Sequence, residues 1–425
     1  MAYEYENLDQ RREAHRQEKA FMSKQRKLLR IGFVMTGITL VLCAATLLIA
    51  YGMLKPPKPN NGGATEGSVQ TPTLPPVPDT VIHFVAGGDV NITDQTVAAG
   101  NSSIGFDYTN VFMDVAPLLA AGDLTAVNFE GNLVGAPYGS TSGSAPAELM
   151  TSLKNAGVDL VQTANSYAVY NGMDGLQLTL QGIRSAGMTP LGTFANTAEF
   201  QESGGFFIRQ IQGIRVAFVA FTKGMDGMGL PAGNEDCVNL LYKDFSSTYQ
   251  DVDKDGITSL LSAVERYKPD VTIALLHWGS EYNDQTSKTQ DKIVKTMKDA
   301  GVDAIIGTHP HYVQKVTYDA ETGMLVAYSL GDLLGDASRP GSDYSVILDL
   351  EITKSGATGE VKITGFDYTP IYIVNDTASG GSIRVMRIRE AMAAYEAGTI
   401  GSVSKETYDA MKSALKRIES RIAGT

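Results

Sequence analysis

Two apolar, β-branched runs in the second half of the chain each stop at a histidine motif. Residues 271–276 lead into His277-Trp278-Gly279-Ser280-Glu281-Tyr282, and residues 302–306 lead into Gly307-Thr308-His309-Pro310-His311. Short runs rich in Val and Ile read as buried strands. Helical spacing at 257–267 and 289–300 accompanies them. Strands alternating with helices build an α/β sheet, and polar residues just past the strand ends collect at its carboxyl edge.

The same alternation begins at residue 81. Strands are expected at 81–86, ending at Gly87-Gly88-Asp89, and at 124–129, 158–163, 324–329, 344–352 and 360–366. Helices are expected at 147–156 and 175–186, with a short strand running up to Gly192. Residues 206–211 and 215–221 read as a hairpin joined through Gly213. From about Ser382 the chain reads as helical and charged. The expected fold is an α/β sandwich of mixed sheets flanked by helices, because the hairpin and the strand after Val346 add antiparallel pairs.

An uncharged, mostly apolar run over residues 31–54 is long enough, as a helix, to cross a hydrocarbon core of about 30 Å. It is too long for a cleaved signal peptide and lacks a small-residue cleavage site. Leu42 before Cys43 is too bulky for a lipoprotein signal. The expectation is an uncleaved signal anchor. Residues 1–30 are basic (Arg11, Arg12, Arg16, Lys19, Lys24, Arg26, Lys27, Arg30). By the positive-inside rule they form a cytoplasmic tail of a single-pass cell-membrane protein. Residues 55–80, rich in Pro, Gly, Asn and Thr, read as an extended stalk. Residues 81–425 then form an extracytoplasmic domain. The net charge of −12 excludes nucleic acid as a partner. Only Cys43 and Cys237 are present, so the outer domain has no internal disulfide.

Acids accompany the histidines. Asp89 follows two glycines, and Asn128 and Glu130 stand two apart, on one side of an extended chain. Asp89, Asn128, Glu130, His277, His309 and His311 are the candidate ligands for one or two divalent ions, Mn, Zn, Fe or Mg. Two ions at a typical spacing of roughly 3.5–4 Å would activate water and clamp a phosphoryl oxygen. Asp251 to Gly256 opens like a calcium loop, but Ser262 stands where the bidentate Glu belongs. That segment reads as a solvated turn capping the next helix.

Taken in order, the motifs resemble the CapA family of poly-γ-glutamate capsule biosynthesis proteins, which have a metallophosphatase-like fold. The anchors are Gly88-Asp89-Val90, Asn128-Phe129-Glu130, Ala164-Asn165, Asp174-Gly175-Leu176, the two histidine motifs and Tyr328-Ser329-Leu330-Gly331-Asp332. The resemblance runs from about His83 to about Ile373. It implies catalytic roles for His277, Glu281 and Tyr167, and substrate-binding roles for Asn165, Trp278, Tyr282 and Asp332. The membrane and an anionic polymer or capsule-synthesis membrane proteins are the implied partners.

Two departures stand out. Where the family typically reads Ala-Asn-Asn-His-Ala-x-Asp, this chain reads Ala164-Asn165-Ser166-Tyr167-Ala168-Val169-Tyr170. Asp332 stands where the family usually has Asn. Neutral Ser and Tyr are poor metal ligands, and a phenol with an ordinary pKa near 10 is a weaker general acid than imidazole. The resemblance thus implies a membrane-anchored protein of capsule or polyglutamate biosynthesis or export with a partly degenerate metallophosphatase-like centre. The alternatives are a non-catalytic polymer-binding or scaffold domain, and a general extracellular phosphoesterase.

Overall fold

The structure, a computed structural model, describes residues 77–375 and 383–422. The basic tail, the apolar run at 31–54 and all but the last residues of the stalk lie outside the described residues. Among the described residues, no helix is long and apolar enough to cross a membrane.

In chain order the strands are β1 (Thr80–Asn91), a small ribbon of β2 (Asn101–Ser102) and β3 (Gly105–Phe106), β4 (Leu124–Glu130), β5 (Leu160–Gln162) and β6 (Thr189–Leu191). Next come β7 (Phe207–Ile211), β8 (Ile214–Thr222), β9 (Val271–His277), β10 (Ala304–Thr308), β11 (Val316–Tyr318) and β12 (Leu325–Ala327). Last are β13 (Asp332–Leu334), β14 (Tyr344–Lys354), β15 (Val361–Asn375) and β16 (Ile383–Arg387).

One sheet has the order β16-β15-β14-β1-β4-β5-β6, with β13 also paired to β1; the other has the order β11-β12-β10-β9-β8-β7. Strands β1, β4, β5, β6 and β13 run parallel, as do β8, β9, β10 and β12. Strands β14, β15 and β16 add antiparallel pairs, as do β7 and β11. Both sheets are therefore mixed, as the pattern required.

Period-two alternation decides which way each side chain faces. Ile82, Phe84 and Ala86 of β1 enter a core shared with Phe218 and Ala220 of β8 and Ile273 and Leu275 of β9. The Phe84 and Phe218 rings meet there, 5.2 Å apart, so the two sheets pack face to face. Val85 and Val127 point the other way, onto Leu149 and Leu153 of the helix Glu148–Asn155. On the far side of the second sheet, Ala274 and Leu276 pack on Ile257 and Leu261 of Lys254–Glu265 and on Ile293 and Met297 of Lys288–Asp299. The result is helix, sheet, sheet, helix. Asp253 caps the helix Lys254–Glu265 by accepting from the Gly256 N–H at 3.1 Å, the capping role expected of that acidic turn. Cys237 is buried and unpaired.

Two expectations fail. The first strand does not end at Gly87-Gly88-Asp89 but continues through it to Asn91, because β13 pairs with β1 there. The segment from Ser382 does not begin as a helix. Ile383 to Arg387 forms β16 against β15 before the helices Ile388–Glu396 and Lys405–Ile422 begin. Ile383 and Val385 are buried in the core while Arg384 ion-pairs with Asp114 at 2.6 Å, an alternation with period two.

Candidate metal centre

The parallel strands deliver their polar residues to one edge. Asp89 of β1 lies in register with Asn128 of β4 and with Asp332 of β13. In the other sheet, His277 ends β9 opposite Thr308, which ends β10 and leads into His309 and His311. Two glycines make the approach of backbones achievable. A Cβ on Gly88 would lie 1.7 Å from the Gly331 carbonyl oxygen, and one on Gly307 would lie 2.0 Å from that of Tyr328. With hydrogen there instead, the Asp89 N–H donates to Gly331 O at 3.0 Å.

Seven donor residues converge, all buried. Ligand atoms of Glu130, His277 and His309 lie within 4.8 Å of one another, and so do those of Asp89, His311 and Asp332. Glu130 faces both groups: its Oε1 is 3.5 Å from His277 Nδ1 and its Oε2 is 4.0 Å from His311 Nε2. Asn128 ties the acids together, its Nδ2 donating to Asp89 Oδ1 at 2.6 Å and to Glu130 Oε1 at 3.2 Å. The His309 N–H donates to Asp89 Oδ2 at 3.0 Å, and His311 Nδ1 stands 2.8 Å from Asp332 Oδ1. Both ring nitrogens of His309 are buried and have no hydrogen-bond partner among the described residues. Buried polar atoms of that kind are rare and costly, and a cation among these donors would satisfy one.

The backbone is strained at the same place. His309 has φ 93°, His311 φ 56° and Tyr282 φ 53°. Non-glycine residues seldom adopt such angles, which cost about 1–3 kcal/mol each and cluster at functional sites.

The electrostatics divide the histidines. Burial, followed by the charge of Lys223 for His277 and by His277 and Lys223 for His309, holds both well below the ordinary imidazole value. They are neutral at pH 7, the form that ligates metal. Burial also opposes a proton on His311, but Asp332, Glu130 and Asp89 outweigh it and hold its pKa well above the ordinary value. Burial, then the neighbouring charge of Asp89, pushes Glu130 well up, and burial raises Asp332 to about 6 against the pull of His311. Three carboxyl groups crowd around one imidazole, and burial opposes the charge on Glu130 and Asp332, so a cation among them would favour their ionised forms. Asp, Glu, Asn and His oxygens and nitrogens suit a first-row divalent ion.

Residues 83–337, more than half of the chain and inclusive of all seven donors, match the family described as bacterial capsule synthesis protein PGA_cap. The chain belongs to that family. It is 24% identical over 320 residues to the PGA biosynthesis protein CapA of Bacillus subtilis (strain 168), across 73% of this chain and 79% of that protein. It is 26% identical over 262 residues to the capsule biosynthesis protein CapA of Bacillus anthracis, across 59% of each. Among solved structures, the calcineurin-like phosphoesterase YfkN from Bacillus subtilis is similar at 14% identity and a TM-score of 0.42, over 81% of this chain and 99% of that one.

Within this PGA_cap domain the sequence-derived site residues fall into three groups. All six candidate ligands converge, and Asp332 joins them; expected to bind substrate, it sits instead inside the second donor group. Asn165 is likewise internal. Its Nδ2 donates to Asn128 Oδ1 at 3.0 Å and to Phe129 O at 2.6 Å, and its Oδ1 accepts from the Tyr167 N–H at 2.9 Å, so it braces the site and has no free amide for a substrate. Trp278 is a core residue. It is fully buried, stacks on Tyr328 at 5.6 Å and donates its Nε1–H to Tyr328 O at 2.9 Å. The cause is the strand period: His277 faces the site, so its neighbour faces the helices.

Tyr282, Tyr167 and Glu281 form the rim. The half-buried Tyr282 ring stacks on His311 at 5.2 Å. Tyr167 lies against Tyr170 at 5.3 Å, and burial, then the charge of Glu130, raises its phenol so that it stays protonated. Glu281 is exposed and bonds to none of the donors, although its charge reaches Tyr167 and Lys223.

Four further residues reach the site. Ser166 contacts His277 Nε2 through its N–H at 3.3 Å and its Oγ at 3.2 Å, and its hydroxyl donates to Asp226 Oδ1 at 3.2 Å. Thr308 Oγ1 lies 3.5 Å from His277 Nδ1. Lys223 follows β8, its N–H donating to His277 O at 2.8 Å. Ser166 was legible only as a departure from the family pattern; Asp226 and Lys223 are single loop residues whose place depends on the tertiary fold.

Proposed function

We propose that this protein is a membrane-anchored, extracytoplasmic member of the capsule and poly-γ-glutamate biosynthesis apparatus that acts as a metal-dependent hydrolase on a metallophosphatase-like fold. The anchor is the run at 31–54, with the basic tail in the cytoplasm. The observation that carries the hydrolase reading is Glu130, whose two oxygens address two donor groups of opposite protonation preference, beside the unpartnered ring of His309.

On this reading, Glu130, His277 and His309 hold one ion, and Asp89, His311 and Asp332 hold the other, drawn from Mn, Zn, Fe or Mg. Bound there, divalent ions polarise a phosphoryl or acyl oxygen and lower the pKa of water. The chain does the rest. Asn128 and Asn165 keep the carboxylates in place, and the tight turn through His309 and His311 presents one imidazole to each donor group. Tyr167, kept protonated by burial, donates a hydrogen bond to the departing oxygen or nitrogen. A phenol is a weak acid at neutral pH, so turnover is slow relative to an imidazole acid.

The test is turnover of a phosphodiester and of a γ-glutamyl amide with Mn²⁺, Zn²⁺ or Mg²⁺. Turnover abolished by His277→Ala supports the hydrolase. The contacts of Ser166 on His277 Nε2 favour a second reading, a binding or scaffold domain without turnover. Bound metal with no turnover of either substrate class would select it.

A further inference from the structure

The site's lining repels the kind of substrate the proposed function needs. Asp89, Glu130 and Asp332 lie within it, and Asp226 and Glu281 stand on its rim. An anionic chain would approach this edge only if fixed positive charge faced it. Two cations do, one beside each donor group.

Lys223 is half-buried after β8, and its ammonium sits 4.9 Å over the Tyr249 ring. It is near enough to His277 and His309 to depress both, and near enough to Glu130, Asp226 and Glu281 to feel their charge. Arg339 lies on the other side, its guanidinium 3.7 Å over the Tyr282 ring, which itself stacks on His311. The loop bearing Arg339 is pinned: the Tyr312 hydroxyl donates to Pro340 O at 2.8 Å, and Ser342 Oγ donates to Asp336 O at 2.8 Å. Among the described residues, neither cation has a carboxylate within ion-pair distance. In a chain of net charge −12, two unpaired cations at one acidic site call for a partner from outside.

We infer that Lys223 and Arg339 form a two-sided clamp for a polyanion, holding successive charged groups on either side of the bond presented to the donor cluster. Aromatic platforms under each cation fix its direction without neutralising it. The shared chemistry is a chain of repeated anionic groups, either carboxylates or phosphates. The inference rests on the proposed hydrolase site only for where the reacting bond lies; the grip on the chain is a property of the two cations.

The experiment uses the full chain in detergent, with labelled poly-γ-glutamate, labelled inorganic polyphosphate and the uncharged amide of poly-γ-glutamate as probes. Bound metal is measured on the same samples. Wild type is expected to bind at least one polyanion and not the neutral chain, and the tighter polyanion identifies the source. Lys223→Ala is expected to weaken binding roughly tenfold, and Arg339→Ala roughly fivefold because its exposed charge is better screened. Lys223→Arg and Arg339→Lys restore most of the affinity, and metal content stays at the wild-type level in all four variants. Equal binding of the neutral chain, or a Lys223→Ala/Arg339→Ala variant that binds as wild type does, overturns the clamp. Polyanion binding that depends on the two cations in a protein that takes up no metal supports the clamp and sinks the metal reading alone.

Discussion

Replacing Asp332 by asparagine is expected to stabilise the metal-free protein while weakening its hold on a divalent ion. Burial raises the folded-state pKa of Asp332 from 3.8 to about 6. A carboxyl whose pKa is higher in the folded state costs the fold nothing below the unfolded value. It costs the full amount above the folded one. The penalty therefore opens as pH rises through 3.8 and is complete a little above 6. Two pKa units correspond to about 3 kcal/mol, and about half of that is present at pH 5. Asn is a neutral isostere that keeps an oxygen facing His311 Nδ1, now 2.8 Å from Asp332 Oδ1. The pull of His311 is already contained in the value of about 6. The expected gain in metal-free stability is about 3 kcal/mol at pH 8 and about half of that at pH 5. With metal the sign reverses, because the variant lacks an anionic donor in the second group. The assay is urea denaturation with chelator and with saturating Mn²⁺ at both pH values. A loss of metal-free stability at pH 8, or the same response with and without metal, would refute the reasoning.

Three further substitutions test separate parts of the account. Gly88→Ala forces a Cβ to within 1.7 Å of Gly331 O and breaks the β1–β13 approach; a destabilisation of about 3 kcal/mol or more, with loss of metal binding, should appear in chemical denaturation. Trp278→Phe removes the bond to Tyr328 O and part of a fully buried indole; it should cost about 2–4 kcal/mol and leave polymer binding at wild-type affinity, whereas a specific loss of binding would restore Trp278 to the substrate site. Tyr167→Phe should leave metal content intact and stability within about 0.5 kcal/mol, yet lower turnover about 100-fold; unchanged turnover would remove the phenol from the mechanism.

Much of the site could be read from residue spacing because strand geometry converts spacing into direction. Asn128 and Glu130 are two apart in β4 and do share a face, and the strands ending at His277 and Thr308 do lie side by side. The same rule, applied one residue further, would have sent Trp278 to the core. The alternation of Ile383, Arg384 and Val385 carried the signal for β16, but five residues between charged neighbours also fit the start of a helix. Lys223, Asp226 and Arg339 gave no local signal at all. Each is one polar residue in a loop, brought to the site by the packing of strands and loops distant in sequence. Ser166 and Tyr167 were conspicuous only as exchanges, and their contacts turn the exchange into a testable arrangement around His277.

The most direct measurement is metal stoichiometry and affinity in the purified protein, by elemental analysis and by titration of the stripped sample. Two ions per chain are expected in the wild type. His309→Ala should lose the ion of the Glu130, His277 and His309 group and keep the other, and His311→Ala should do the converse. A wild-type protein that takes up no Mn²⁺, Zn²⁺, Fe²⁺ or Mg²⁺, or one whose uptake is untouched by both substitutions, would contradict that expectation.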